Sequence, residues 1–379
     1  IEAYTYSILV DVWGDIPFSE AALGTDNLAP KYDLGENVYP QLFTLLDDAI
    51  ANLASESTNS PSNDDLFYGG DLDKWRKLAK TLKLKLYNQV RLVQNVSSEV
   101  NALIAEGDLI SADDDFEMMH GTTLTPDDRN PGWVQEYTNG SPQYYMSPFF
   151  YEIMTNQNTF NHRNYGGVIN TTDPRVPYYF YNQLEEGSGD SDAQNKCSYC
   201  PSKSGSSFLS IYAFSFNIDP NEGFDQATSQ TVGGLYPFGG AFDDGKGGGV
   251  SPTGGTPSAP LRLLTYCALK YIQAELILSG DATGDARVEF EEALNASFAE
   301  VNEAAANSAD MAPELDQADI DTYVDAVLAA YDAADDDGKL EHIITQKWLA
   351  SFGWGVDSYT DYRRTGYPVL HDGNTDNVS

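Results

Sequence analysis

Residues 341–370 read EHIITQKWLASFGWGVDSYTDYRRTGYPVL, with Arg363 and Arg364 side by side between tyrosines. The chain holds only 21 Lys and Arg against 58 Asp and Glu, a net charge of −37 over 379 residues, so two adjacent arginines need a reason. The stretch predicts one long final helix that ends at the arginines, with Gly366 and Pro368 stopping it. Asp357, Asp361 and the helix's own carbonyls offer partners for guanidinium forks. Arg363 and Arg364 are therefore predicted to be structural, a latch tying the C-terminal segment to a helical scaffold. An anion grip or a catalytic pair is the competing reading. Trp348 on the same helix is also predicted to be structural.

Upstream, apolar residues recur at helical spacing. APLRLLTYCALKYIQAELILSG (259–280) predicts a helix with Pro260 near its first turn and Gly280 at its end, carrying Cys267 on a buried face. ARVEFEEALNASFA (286–299), ADIDTYVDAVLAAYDAA (318–334) and the final stretch continue the pattern. The alternation of small and large residues suggests paired antiparallel helices, as in tetratricopeptide arrays, without a strict 34-residue period. An irregular helical bundle fits that pattern equally well. At the other end, NVYPQLFTLLDDAIANLA (37–54) and residues 71–95 give the same periodicity, the second behind Asp71 as an N-cap and carrying Trp75 on its apolar face.

Residues 111–259 differ. Glycine, proline, asparagine and tyrosine crowd together, and only a short helix near 146–155 is periodic. The aromatic content argues against disorder, and a long irregular segment in a folded chain points to function. The expected organisation is one domain over 1–379. It has helical zones at 1–110 and 260–379 around a loop-rich, ligand-facing zone at 111–259.

A charge of −37 repels nucleic acid and anionic headgroups. No apolar run reaches the length of a membrane span. The opening IEAYTYSILVDVWGD reads as the middle of a helix and not as a signal peptide, so a preceding segment is expected.

Six motifs, in order, carry a resemblance: VDVWGDIPFSEA with APKYDLGENVYPQLFTLLDDAIANL, then DDLFYGGDLDKWRKLAKTLKLKL, TDPRVPYYF, APLRLLTYCALKYIQAELIL, LNASFAEV, and the closing stretch. Together they span residues 10 to 370 and resemble the SusD/RagB family of outer-membrane nutrient-binding lipoproteins of Bacteroidetes. The chain departs from that pattern at Lys80–Thr81 and around Cys267–Ala268. The resemblance implies a mainly α fold with tetratricopeptide-like helix pairs and no catalysis. It implies a role in capturing oligosaccharide, or peptide, at the cell surface for a SusC-type TonB-dependent transporter. It further implies a lipid anchor ahead of the sequence.

Flat aromatics suit sugar rings, whose C–H faces lie against them while amides and guanidiniums bind the hydroxyls. Trp133, Tyr137, Tyr144, Tyr145 and Tyr165 are the candidate platforms, with Asn161, Arg163 and Asn164 as polar partners. Tyr178, Tyr179, Tyr236 and Phe238 belong to the same aromatic group, and a minor core beneath a long loop is the alternative for any one of them. Trp13 and Asp15 of WGDIPF are predicted to be structural, packing and turning a helix end. Asp127, Asp128 and Glu136 could be nominated as hydrolase carboxylates, although acids are too common here to carry that reading. Cys197 and Cys200 are expected to close a local disulfide or stay reduced; no further ligands complete a zinc site. No cofactor is expected. Calcium in DPNEGFDQ (219–226) or ADDDFE (112–117) is possible but unsupported, and solvated charge is the preferred reading.

Overall fold

The computed structural model describes residues 1–55, 61–140, 142–156, 169–186, 207–210 and 226–370. Among these are thirteen α-helices and four short strands, so the chain is mainly α, as expected. Two compact units share it. The first comprises residues 1–116, 263–290 and 354–366; the second comprises 117–262, 291–353 and 367–379.

The first unit is built on helices Glu2–Trp13, Gly35–Leu53, Leu72–Val90, Ser97–Glu106, Tyr266–Leu278 and Gly355–Thr365. Helices Gly35–Leu53 and Leu72–Val90 pack against each other, burying Val38, Leu42 and Leu46 from one and Leu78, Leu82 and Leu86 from the other. Such spacing puts one residue per turn into the core, each stabilising by about 1.5–3 kcal/mol. Asp71 caps the second helix as predicted, its carboxylate accepting from the Asp73 and Lys74 amides. Trp75 is half-buried beside Phe116 and donates its indole N–H to Asp65 at 2.7 Å. Cys267 is buried, as expected. The acids of ADDDFE are not simply solvated. Asp114 is buried and bound by Lys77 at 2.7 Å, and Asp115 accepts from the Tyr266 amide.

Two helix predictions need correction. The chain from 261 to 264 is a strand, and the helix starts only after Thr265, whose hydroxyl accepts from the Ala268 amide. An N-cap hydroxyl placed after the leucine-rich run LRLL outweighs Pro260 as the start signal. The final helix is two helices, Asp336–Ala350 and Gly355–Thr365. Gly353 breaks them at φ +87°, where a Cβ would lie 2.4 Å from Pro237 Cγ. The stop at Gly366 is as predicted, in the left-handed conformation.

In the second unit, Phe180 and Tyr181 pair antiparallel with Gly233 and Val232. Its core is aromatic. Tyr179 stacks on Tyr236 and Phe352, and Phe150 lies 4.5 Å from Trp348, which is half-buried. Fully buried Arg175 of the TDPR motif binds Asp173 through Nε (2.9 Å) and Nη2 (2.6 Å), and its Nη1 donates to Ser297. Tyr178, Tyr179 and Tyr236 are thus core residues, and the loop-rich zone shares this core with residues of the C-terminal helical zone.

Trp13 also needs correction. It leaves 66% of its surface exposed, so it does not pack a corner. Asp15 does turn the chain there, accepting from the Gly35 amide at 3.0 Å.

Candidate ligand-binding site

Asn130 starts the helix Pro131–Tyr137, its side-chain oxygen accepting from the Gly132 and Trp133 amides with Pro131 in the first turn. That helix turns Trp133 and Tyr137 inward, each only 2% exposed and lying parallel to the other. Trp133 Nε1 donates to the Gly254 carbonyl at 3.0 Å. The Tyr137 hydroxyl donates to Gly233 O and accepts from the Ala241 amide. A Cβ at Gly240 would lie 2.4 Å from that hydroxyl, so the glycine run GGLYPFGG exists to wrap backbone around a buried tyrosine. Trp133 and Tyr137 hold the second unit together. They present no face to a ligand, which corrects the expectation made for them.

Tyr144 and Tyr145 are placed differently, with 55% and 39% of their surface exposed. Their backbone is held from both sides. Glu136 Oε1 accepts from the Gln143 and Tyr144 amides, each at 3.0 Å, and the Gln230 side-chain amide donates to the Tyr144 carbonyl. Gln183 in turn donates to the Gln230 carbonyl at 2.8 Å, and Ser210 donates to the Met146 carbonyl. Burial pushes the Glu136 carboxyl up, while the two amides pull it back. The result is a pair of adjacent exposed rings on an immobilised backbone, a low-entropy surface for a flat ligand.

Asn161, Arg163, Asn164 and Tyr165 lie outside the described residues, as do Cys197, Cys200 and most of DPNEGFDQ. The carboxylates nominated for hydrolysis have other occupations. Asp127 binds Arg129 through two oxygens at 2.7 and 2.8 Å, which holds its carboxyl at about 2. Asp128 accepts from the Thr123 amide, and Glu136 is buried under the tyrosines. Among the described residues no group of three or more His, Cys, Asp or Glu is arranged to hold a metal ion. The described arrangement can stack and hydrogen-bond; it holds no activated nucleophile or poised acid–base pair. An apolar cavity of about 200 Å³ exists within the first unit, lined by Tyr4, Leu46, Trp75 and Leu82 among others, and it shares no residue with the tyrosine pair.

The family model for SusD-like proteins, described as starch-binding and associating with the outer membrane, matches residues 1–379. The chain belongs to the SusD-like family. No curated protein matches it. Similar solved structures include a chitin-binding protein, 23% identical with a TM-score of 0.69, over 99% of this chain and 69% of that one. A SusD homologue from Bacteroides fragilis NCTC 9343 is 21% identical with a TM-score of 0.67, over 100% and 73%. Another from Bacteroides uniformis ATCC 8492 is 20% identical with a TM-score of 0.66, over 98% and 68%. At such identities these structures bear on the fold. Among the described residues no helix of this SusD-like chain is long and apolar enough to cross a membrane.

Sequence reasoning missed two features. Arg175 of TDPRVPYYF is one, although an arginine two residues after an aspartate is a readable ion-pair signal. Glu136 and Gln230 as the clamp on Tyr144 had no local signature, because Gln230 is 86 residues from its partner.

Proposed function

We propose that this SusD-like chain is a non-catalytic capture subunit exposed at the cell surface on the outer membrane. It binds oligosaccharide and passes it to a SusC-type TonB-dependent transporter. Attachment to the membrane is through a lipid anchor ahead of the present sequence. The family description supports the outer-membrane and saccharide parts of this reading. The observation that carries the site is the exposed Tyr144–Tyr145 pair on a backbone clamped by Glu136 and Gln230. A backbone fixed before binding leaves less entropy to lose when a sugar lies on its rings. Capture of basic peptides is the second reading, favoured by the charge of −37.

Calorimetric titration with starch-type and chitin-type oligosaccharides, beside a Lys/Arg-rich peptide pool, separates the two. Saccharide binding that weakens about tenfold in Tyr144→Ala/Tyr145→Ala, a loss of about 1.4 kcal/mol, supports the proposal. Binding of the peptide pool alone overturns it in favour of the second reading. Recovery of shortened saccharide after incubation would refute the non-catalytic assignment.

A further inference from the structure

In this acidic chain the arginines are mostly spent on carboxylates. Arg76 binds Asp108, Arg91 and Arg364 bind Glu275, Arg129 binds Asp127, and Arg175 binds Asp173. Arg363 is different. It is exposed and forms no ion pair among the described residues. Its Nη1 donates to the Asp11 carbonyl at 2.7 Å, and its guanidinium carbon lies 5.3 Å from the centre of the Tyr359 ring.

The acids near it in sequence or contact are already engaged. Asp357 takes Lys85 at 2.6 Å, and Asp361 takes Arg364 at 2.8 Å. The Asp11 carboxylate accepts from the Tyr39 hydroxyl, and Asp15 accepts from the Gly35 amide. Arg363 thus makes no direct ion pair, the Asp11 carboxylate acting on it through space, while a carbonyl and a ring set its orientation. A planar fork held in that way matches the paired oxygens of a carboxylate or sulfate.

The Tyr359 ring beside it is exposed. Tyr359 and Tyr362 share its helix, with 47% and 43% of their surface exposed, and Trp13 ends the helix whose Asp11 carbonyl holds the guanidinium. All belong to the first unit.

We propose that Arg363, Tyr359 and Tyr362 form a second saccharide site, selective for sugars that carry a carboxylate or sulfate group. The guanidinium takes the anionic group, and the rings take the C–H faces of the sugar and its neighbours. The choice of a saccharide rests on the glycan-capture reading; the requirement for negative charge rests on Arg363. The overall charge of −37 repels long polyanions, but physiological salt confines that field to about 8 Å, so short acidic oligosaccharides are the favoured ligands.

The test is calorimetric titration of the full chain at about 0.15 M salt with an oligogalacturonate, a sulfated galactan oligosaccharide and a neutral starch-type oligosaccharide. The expected result is binding of at least one acidic ligand. Arg363→Gln should weaken it about tenfold or more, Arg363→Lys should restore part of the loss, and neutral binding should be unchanged. Whether the uronate or the sulfate titrates names the source of the charge. Tyr359→Ala, in which the arginine remains, should weaken the same ligand. Because Arg363 is exposed, the melting temperature of Arg363→Gln should stay near that of the parent. Acidic ligands that bind Arg363→Gln as tightly as the parent overturn the site, as does binding of neutral saccharide alone; both leave the capture reading standing. If neither acidic nor neutral saccharide binds, the capture reading falls as well.

Discussion

Arg364 forks onto Glu275, its Nη2 donating to Oε2 at 2.9 Å and its Nη1 to Oε1. Glu275 is fully buried and also receives Asn88 at 2.9 Å and Arg91 at 2.8 Å. Three elements of the first unit therefore converge on one carboxylate. Removing it takes the shared carboxylate from two guanidiniums, leaving Arg364 with Asp361 and Arg91 with Asp281 at 3.8 Å, whereas removing Arg364 still leaves Glu275 with two donors. Glu275→Ala is expected to cost about 3–5 kcal/mol in chemical denaturation, and Arg364→Ala less. A Glu275→Ala variant as stable as the parent would show that the hub does not hold the unit.

The hub also marks the limit of sequence reading. Helical periodicity located the helices over 37–54 and 71–95, because burying one face leaves a regular signature. Nothing local identified Glu275, since Asn88 and Arg91 lie 187 and 184 residues away. In the loop-rich zone the difficulty is different. Trp133 and Tyr144 sit in the same glycine- and proline-rich context, and without periodicity a ring facing inward reads the same as one facing out. The capping Asn130 and the glycines around Tyr137 were the available signal. They mark backbone packed closely on a ring.

Trp133 gives a direct prediction. Trp133→Ala removes a buried indole and its bond to the Gly254 carbonyl, and is expected to cost about 3–5 kcal/mol. Trp133→Phe keeps the stacking on Tyr137 at a smaller cost and should leave saccharide affinity unchanged once folded. If the phenylalanine variant melted like the parent yet lost saccharide binding, Trp133 would have to be a ligand contact after all.

Stability at low pH should depend on Asp108. A hydrogen bond from Arg76, opposed by partial burial and aided by Lys80, holds its carboxyl at about 2 instead of 3.8. The unfolded chain takes up this proton near 3.8 and the folded chain only near 2. Between those values the unfolded state binds more protons, so the contribution is complete above 3.8 and fades as pH falls. Melting temperatures of Asp108→Asn and the parent, measured from about pH 5 to about pH 2, should converge toward the acid end. Parallel curves would rule out Asp108 as a source of the acid sensitivity.

Lys85 and Asp357 form a second buried pair in the first unit, 2.6 Å apart, with Lys85 Nζ also 5.5 Å from the Tyr4 ring centre. Their side chains are 3% and 9% exposed, so each charge is the other's direct partner, with the Asp11 carboxylate acting on both through space. Burying an ion pair costs desolvation that attraction only partly offsets, while burying one charge alone costs much more. Lys85→Met is therefore expected to destabilise by about 3–5 kcal/mol, and Asp357→Leu by a similar amount. The double variant Lys85→Met/Asp357→Leu should recover most of either loss, because neither member of the pair is left buried without the other, and Asp11 loses one attractive and one repulsive neighbour together. A double-mutant cycle by denaturant unfolding reads the coupling directly. Losses that simply add would mean that the two side chains act independently, with water compensating each charge.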